Sequence, residues 1–169
     1  MHASIVLTIL AVDRPGLVST LSETIAAHGG SWQESRMARL AGQFAGILRV
    51  ECPAGQADDL LAALAALGSQ GIAVQAQREE AAAPAPRETL ALDVVGNDRP
   101  GIIRALSAAI AGAGGNVEDL ATSLESAPMS GHPIFHATGR VSLAAGGDPA
   151  ALVAAIESLG PDLAVSIGG

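Results

Sequence analysis

The stretches VDRPGLV (Val12 to Val18) and NDRPGII (Asn97 to Ile103) write the same turn twice, 85 residues apart. In a chain of 169 residues such a period leaves room for two copies of one unit, each of about 80 residues. At this shift Leu17, Val18, Leu21 and Ile25 fall on Ile102, Ile103, Leu106 and Ile110, the spacing of one amphipathic helix face. Upstream, Ile5, Leu7 and Ile9 fall on Leu90, Leu92 and Val94, the alternation of a half-buried strand. Gly29-Gly30 falls on Gly114-Gly115, where a left-handed cap would end the helix.

Farther along, the register between the copies slips. FAGILRVE from Phe44 matches FHATGRVS from Phe135 at a shift of 91, which places the extra residues in the loop ESAPMSGHP. Leu60, Leu61, Leu64 and Leu67 then match Leu152, Val153, Ile156 and Leu159 as a second amphipathic helix, and Ile72 and Val74 match Leu163 and Val165 as a last strand. Each copy reads strand, helix, strand, strand, helix, strand. The expected fold is therefore α+β: two ferredoxin-like βαββαβ units, each an antiparallel four-stranded sheet with two helices on one face. The first unit is expected over residues 1–79 and the second over 88–169. Residues 80–87, within EEAAAPAPRE, read as a short semi-rigid linker. The outward sheet face of the first copy would carry Val6, Thr8, Leu10 and Val12, too apolar for open solvent. The units are expected to pair with each other or with a second chain, so a homodimer is among the expected states.

Composition removes several function classes. The net charge is −8, there is no lysine, and Trp32, Phe44 and Phe135 are the only aromatics. A phosphate backbone needs a basic face and unstacked bases need aromatic platforms, so no direct nucleic-acid contact is expected. The same balance argues against an anionic membrane surface, and no apolar run is long enough to span one. The expected setting is cytoplasmic. Cys52 stands alone and reads as a small core residue. His132 and His136 lie in a strand-like stretch where their spacing does not converge on a metal. No catalytic triad order, P-loop or GxGxxG is present, so neither catalysis nor a metal or cofactor is expected.

The repeated turn carries the chemistry. Pro15 and Pro100 suit a first helical position, and Gly16 and Gly101 strip side chains from a helix start whose amides lack intrahelical partners. Such a start takes anions. The carboxylate of an amino acid fits the amides near Gly16-Leu17 or Gly101-Ile102. Its ammonium then needs an acceptor, either Asp13 or Asp98 in the turn, or the residue opening the second strand, Ser31 or Asn116. Asn116 both donates and accepts, which makes the second copy the better pocket. Arg14 and Arg99 complete the candidate set. Turn chemistry alone also accounts for Asp-Arg-Pro-Gly as a loop and helix start. Glu118, Asp119 and Glu125 read as a solvated strand face or a patch for a basic partner.

On these residues, DRPG with its helix face, HGGSW or AGGNV after it, and the hairpin, helix and strand that follow, each half resembles an ACT domain. The bare tandem, with SGHPIFHATGRV in its second hairpin, is most similar to the glycine cleavage system transcriptional repressor family. The resemblance implies an amino-acid-responsive regulator. Its ligand, glycine by implication, would sit between paired modules near the turn and the second-strand opening. Its partner would be a protein that itself binds DNA. Ser31 departs from the usual Asn at its place. Two other readings stay open: an interaction module without a ligand, and a detached regulatory part of a metabolic enzyme such as formyltetrahydrofolate deformylase.

Overall fold

A computed structural model describes residues 1–80 and 87–169. The linker expected at 80–87 lies, apart from its two end residues, outside the described residues. The chain divides into two compact units, Met1–Ala83 and Pro84–Gly169.

The first unit runs β1 (His2–Val12), α1 (Leu17–Ala27), β2 (Ser31–Leu40), β3 (Gln43–Pro53), α2 (Ala57–Ala66) and β4 (Ile72–Arg78), with short 3-10 turns on either side of α2. Its four strands lie in the order β2-β3-β1-β4, every neighbour antiparallel. The alternation in β1 decides which face is covered. Ile5, Leu7, Ile9 and Ala11 are buried with Leu48, Val50 and Cys52 of β3, Leu17, Leu21 and Ile25 of α1, and Leu60 and Leu64 of α2 in one cluster, so both helices cover the same face. Ala41 and Gly42 both have positive φ and join β2 to β3 in two residues, the pattern of a type I′ turn matched to strand twist.

The second unit repeats this with β5 (Thr89–Asn97), α3 (Ile102–Gly112), β6 (Gly115–Ser126), β7 (Pro133–Leu143), α4 (Pro149–Glu157) and β8 (Ala164–Gly168), in the strand order β6-β7-β5-β8. Its core gathers Leu90, Leu92, Val94, Ile102, Leu106, Ile110, Phe135, Val141, Leu152 and Ile156. The longer second hairpin is the loop Ala127–His132, closed by the Ala127 amide on the His132 carbonyl at 3.0 Å. Ferredoxin-like topology is thus found in both halves. Among the described residues no helix is long and apolar enough to cross a membrane.

Three local expectations change. Val18 and Ile103 lie off the buried helix face and are 45% and 40% exposed, because the covered stripe repeats at Leu17, Leu21 and Ile25 and its counterparts. Pro15 and Pro100 do not occupy the first helical position. The helices begin at Leu17 and Ile102 with Gly16 and Gly101 as their N-caps, one residue past the prolines. Those glycines are left-handed, at φ 89° and 81°, so backbone conformation is itself a reason for glycine there. The Gly-Gly pairs serve two different needs. Gly29 and Gly114 are left-handed, whereas a Cβ on Gly30 or Gly115 would meet Ile25 or Ile110 Cγ2 at 2.6 or 2.8 Å.

Candidate functional site

In each unit the turn after the first strand is pinned by its own arginine. Arg14 donates through Nη2 to the Gln70 carbonyl. Arg99 donates through Nη2 to the Leu159 carbonyl at 3.0 Å and faces Asp162 from Nη1 at 3.4 Å. Asp162 also accepts the Asn97 amide at 2.9 Å. That amide, with help from Arg99, holds the Asp162 carboxyl below the usual carboxylate range. Both arginines therefore clasp the turn to the segment preceding the last strand.

The two turns differ at their acid. Asp13 is ion-paired to Arg39 Nε at 2.7 Å, and its amide donates to the Gly42 carbonyl. Asp98 donates its amide to the Pro133 carbonyl, and the position matching Arg39 is Leu124. The Asp98 carboxylate thus lacks the cross-strand arginine that occupies Asp13. The Ile102 amide is spent inside the turn on the Arg99 carbonyl at 3.2 Å. A carboxylate at this helix start would meet the amides of Ile103 and Arg104, which belong to the first turn and have no intrahelical acceptor.

The strand openings form a second polar place. Ser31 pairs with Glu51, which pairs with Ser4 on β1. Asn116 pairs with Ser142, which pairs with Thr89 on β5. Strand β2 runs parallel to β1, and β6 to β5, so each opening lies at the end of the sheet where the first strand starts. The run from Ser4 to Asp13, like that from Thr89 to Asp98, spans about 30 Å of extended chain. Asp98, Arg99, Gly101 and Ile102 are together, as are Asp13, Arg14, Gly16 and Leu17, but neither group meets the Asn116 or Ser31 of its own unit. One amino acid cannot touch both places within a unit.

Glu118 is a site residue that sequence reasoning placed on a solvated strand face. It lies at a bulge in β6, between Val117 and Asp119. There Glu118 Oε1 accepts from Asn116 Nδ2 at 3.0 Å and from the buried Ser142 hydroxyl. The first unit has the same bulge between Trp32 and Glu34, with Gln33 donating to the Ser31 hydroxyl at 3.1 Å. No sequence signal marks these bulges.

Elsewhere, Cys52 is fully buried and burial raises its thiol pKa. His136 lies on the outward face of β7, 3.1 Å from Asp93. Among the described residues no group of three metal-ligating side chains is found.

Three comparisons bear on identity. The family model of the ACT domain matches residues 3–77. The crystal structure of an unknown protein from Galdieria sulphuraria superposes with a TM-score of 0.80 at 27% identity, covering 99% of this chain and 98% of that one. That of a protein assigned as a glycine cleavage system transcriptional repressor superposes with a TM-score of 0.73 at 17% identity, covering 99% and 97%. No curated protein matches the sequence. Family match, topology and repeated core positions agree: residues 3–77 are an ACT domain, and the chain as a whole has a two-unit ACT fold.

Proposed function

We propose that this chain is an amino-acid-responsive regulatory protein. A small amino acid bridges the helix-start turn of one module and the strand opening of a module in a second copy of the chain. Binding then alters a surface offered to a protein partner, a DNA-binding regulator. The observation that carries the reading is the placement of the two polar features at opposite ends of every sheet. A ligand with a carboxylate and an ammonium needs both, and antiparallel two-fold pairing of two modules brings a turn to an opening. The ACT match and the fold shared with the protein assigned as a glycine cleavage system transcriptional repressor support it, and make glycine the first ligand to test. The acidic balance supports a protein partner over direct DNA contact. Ligand binding shifts the pairing only by its differential affinity for the two states.

The test is a thermal-shift screen against the twenty amino acids, with calorimetry on any hit. At a hundred times its dissociation constant a ligand adds about 2.7 kcal/mol, or several degrees at roughly 2–4 °C per kcal/mol. The expected result is a shift with glycine or serine that Asp98→Ala and Asn116→Ala each abolish. No shift with any amino acid refutes the sensor.

One observation favours a second reading, a docking module that needs no ligand. Leu10, Val12, Ile47 and Leu40 are 52%, 63%, 56% and 80% exposed on the first unit. Leu10, Val12 and Ile47 belong to the outward sheet face, since their neighbours Ile9, Ala11 and Leu48 are buried. On this reading Leu10→Ser with Ile47→Ser abolishes partner binding while leaving any ligand response untouched.

A further inference from the structure

We infer that Glu118 is a positioning residue that fixes the orientation of Asn116, so that the second unit's strand opening presents an acceptor and selects a ligand's ammonium. A carboxylate has no proton to give, so only the Nδ2 side of the Asn116 amide can face Glu118, and the 3.0 Å contact settles which way the amide points. With Nδ2 engaged, Oδ1 is the atom turned to a ligand. Glu118 is itself held by the hydroxyl of Ser142, a residue with no solvent exposure, which anchors the carboxylate to the sheet. Residues two apart on a strand share a face, which puts Glu118 beside Asn116, at the bulge between Val117 and Asp119.

The first unit makes the contrast. Gln33 stands where Glu118 stands and donates to the Ser31 oxygen, so the Ser31 hydroxyl keeps its own proton to give. The residue matching Ser142 there is Glu51, the register partner of Ser31. The two openings therefore differ in polarity: an amide acceptor in the second unit, a hydroxyl donor in the first. The amide orientation stands on its own, and only the identity of the ligand rests on the amino-acid reading above.

The experiment uses the full chain with two readouts. In 15N-labelled protein the Asn116 side-chain amide, identified by its loss in Asn116→Ala, is expected to exchange slowly. Glu118→Ala should return it to free-amide behaviour, while Glu118→Gln, whose amide oxygen still accepts, should preserve it. In calorimetry glycine is compared with acetate, which keeps the carboxylate and lacks the ammonium. Wild type and Glu118→Gln should prefer glycine, and Glu118→Ala should weaken glycine about tenfold with little change for acetate. Ser142→Ala reports the structural share of the network and should keep the glycine preference. An Asn116 amide unaffected by Glu118→Ala overturns the inferred orientation. A locked amide in a wild type that binds none of the twenty amino acids overturns the ammonium selection and the sensor reading together, leaving the orientation standing. Glycine bound as well by Glu118→Ala as by wild type overturns the positioning role.

Discussion

Replacing Gly101 by Ala separates two explanations of the helix-start glycine. If the residue serves only to bare the amides, its backbone conformation is incidental and a methyl group there is nearly neutral for folding. The structure says otherwise: Gly101 sits at φ 81°, ψ 11°, and a Cβ built on it has no neighbour within 4 Å. No clash contributes, so the cost is that of the left-handed conformation, roughly 1–2 kcal/mol for an L-residue. Alanine also restricts the unfolded chain, returning about 0.4–1 kcal/mol. The net expectation is a loss of about 1 kcal/mol. If the unit melts as one domain of its size, that is about 4–8 °C in Tm. Asparagine is larger but visits this region more readily, so Gly101→Asn should cost less than Gly101→Ala. Gly16, at φ 89° and equally unobstructed, should give the same order in the first unit. The assay is thermal unfolding of the full chain followed by circular dichroism and calorimetry. An alanine variant as stable as wild type, or an asparagine variant less stable than alanine, refutes the conformational argument.

Other outcomes follow from single contacts. The folded Asp162 carboxyl is held below its unfolded range, so its stabilisation is present above about pH 4 and is lost as pH falls through the lower folded value. The stability gap between wild type and Asp162→Asn should therefore narrow on acidification below about pH 4, and parallel pH curves would refute the assignment. Asp148 caps α4 by accepting the Ala150 amide at 2.9 Å. Asp148→Ala should cost about 1 kcal/mol and Asp148→Asn much less, measured by denaturant unfolding. Gly115→Ala would set a methyl 2.8 Å from Ile110 Cγ2 and 3.0 Å from its carbonyl oxygen. It should lose about 1–3 kcal/mol by overpacking, whereas an unchanged midpoint would mean the helix end yields freely.

The fold was legible because the repeat compares two solutions of one packing problem. Positions such as Leu21 and Leu106, or Ile5 and Leu90, stay apolar in both copies and lie in both cores. The site was legible only in pieces. Asp-Arg-Pro-Gly announces a turn, but the destination of Arg99 depends on a loop some sixty residues away, where the Leu159 carbonyl happens to face it. Placing Asn116 beside its own turn overlooked strand direction. The pattern gives strand order along the chain, while parallel β5 and β6 put the opening at the far end of the sheet. Glu118 was hidden for a different reason. It is exposed and shares the face of Asn116, as strand alternation expects, but its contact with Ser142 depends on the register of β6 on β7 across a bulge that has no compositional mark. Arg39 was missed as the partner of Asp13, although the two-residue turn at Ala41-Gly42 sets the register that brings it there.

The strand order has a consequence for the growing chain. In the first unit β1 is made first, yet it lies between β3 and β4, with Ile5 opposite Arg78 and Ala11 opposite Ile72. In the second, Ala91 pairs with Gly168. Each sheet is thus completed by its last strand reaching back to its first, a long-range closure of the kind that slows folding. During synthesis the first unit has all its strands once Arg78 has emerged. In the second unit β5 can pair with β7 beforehand, but its other edge stays open until Ala164–Gly168 has emerged.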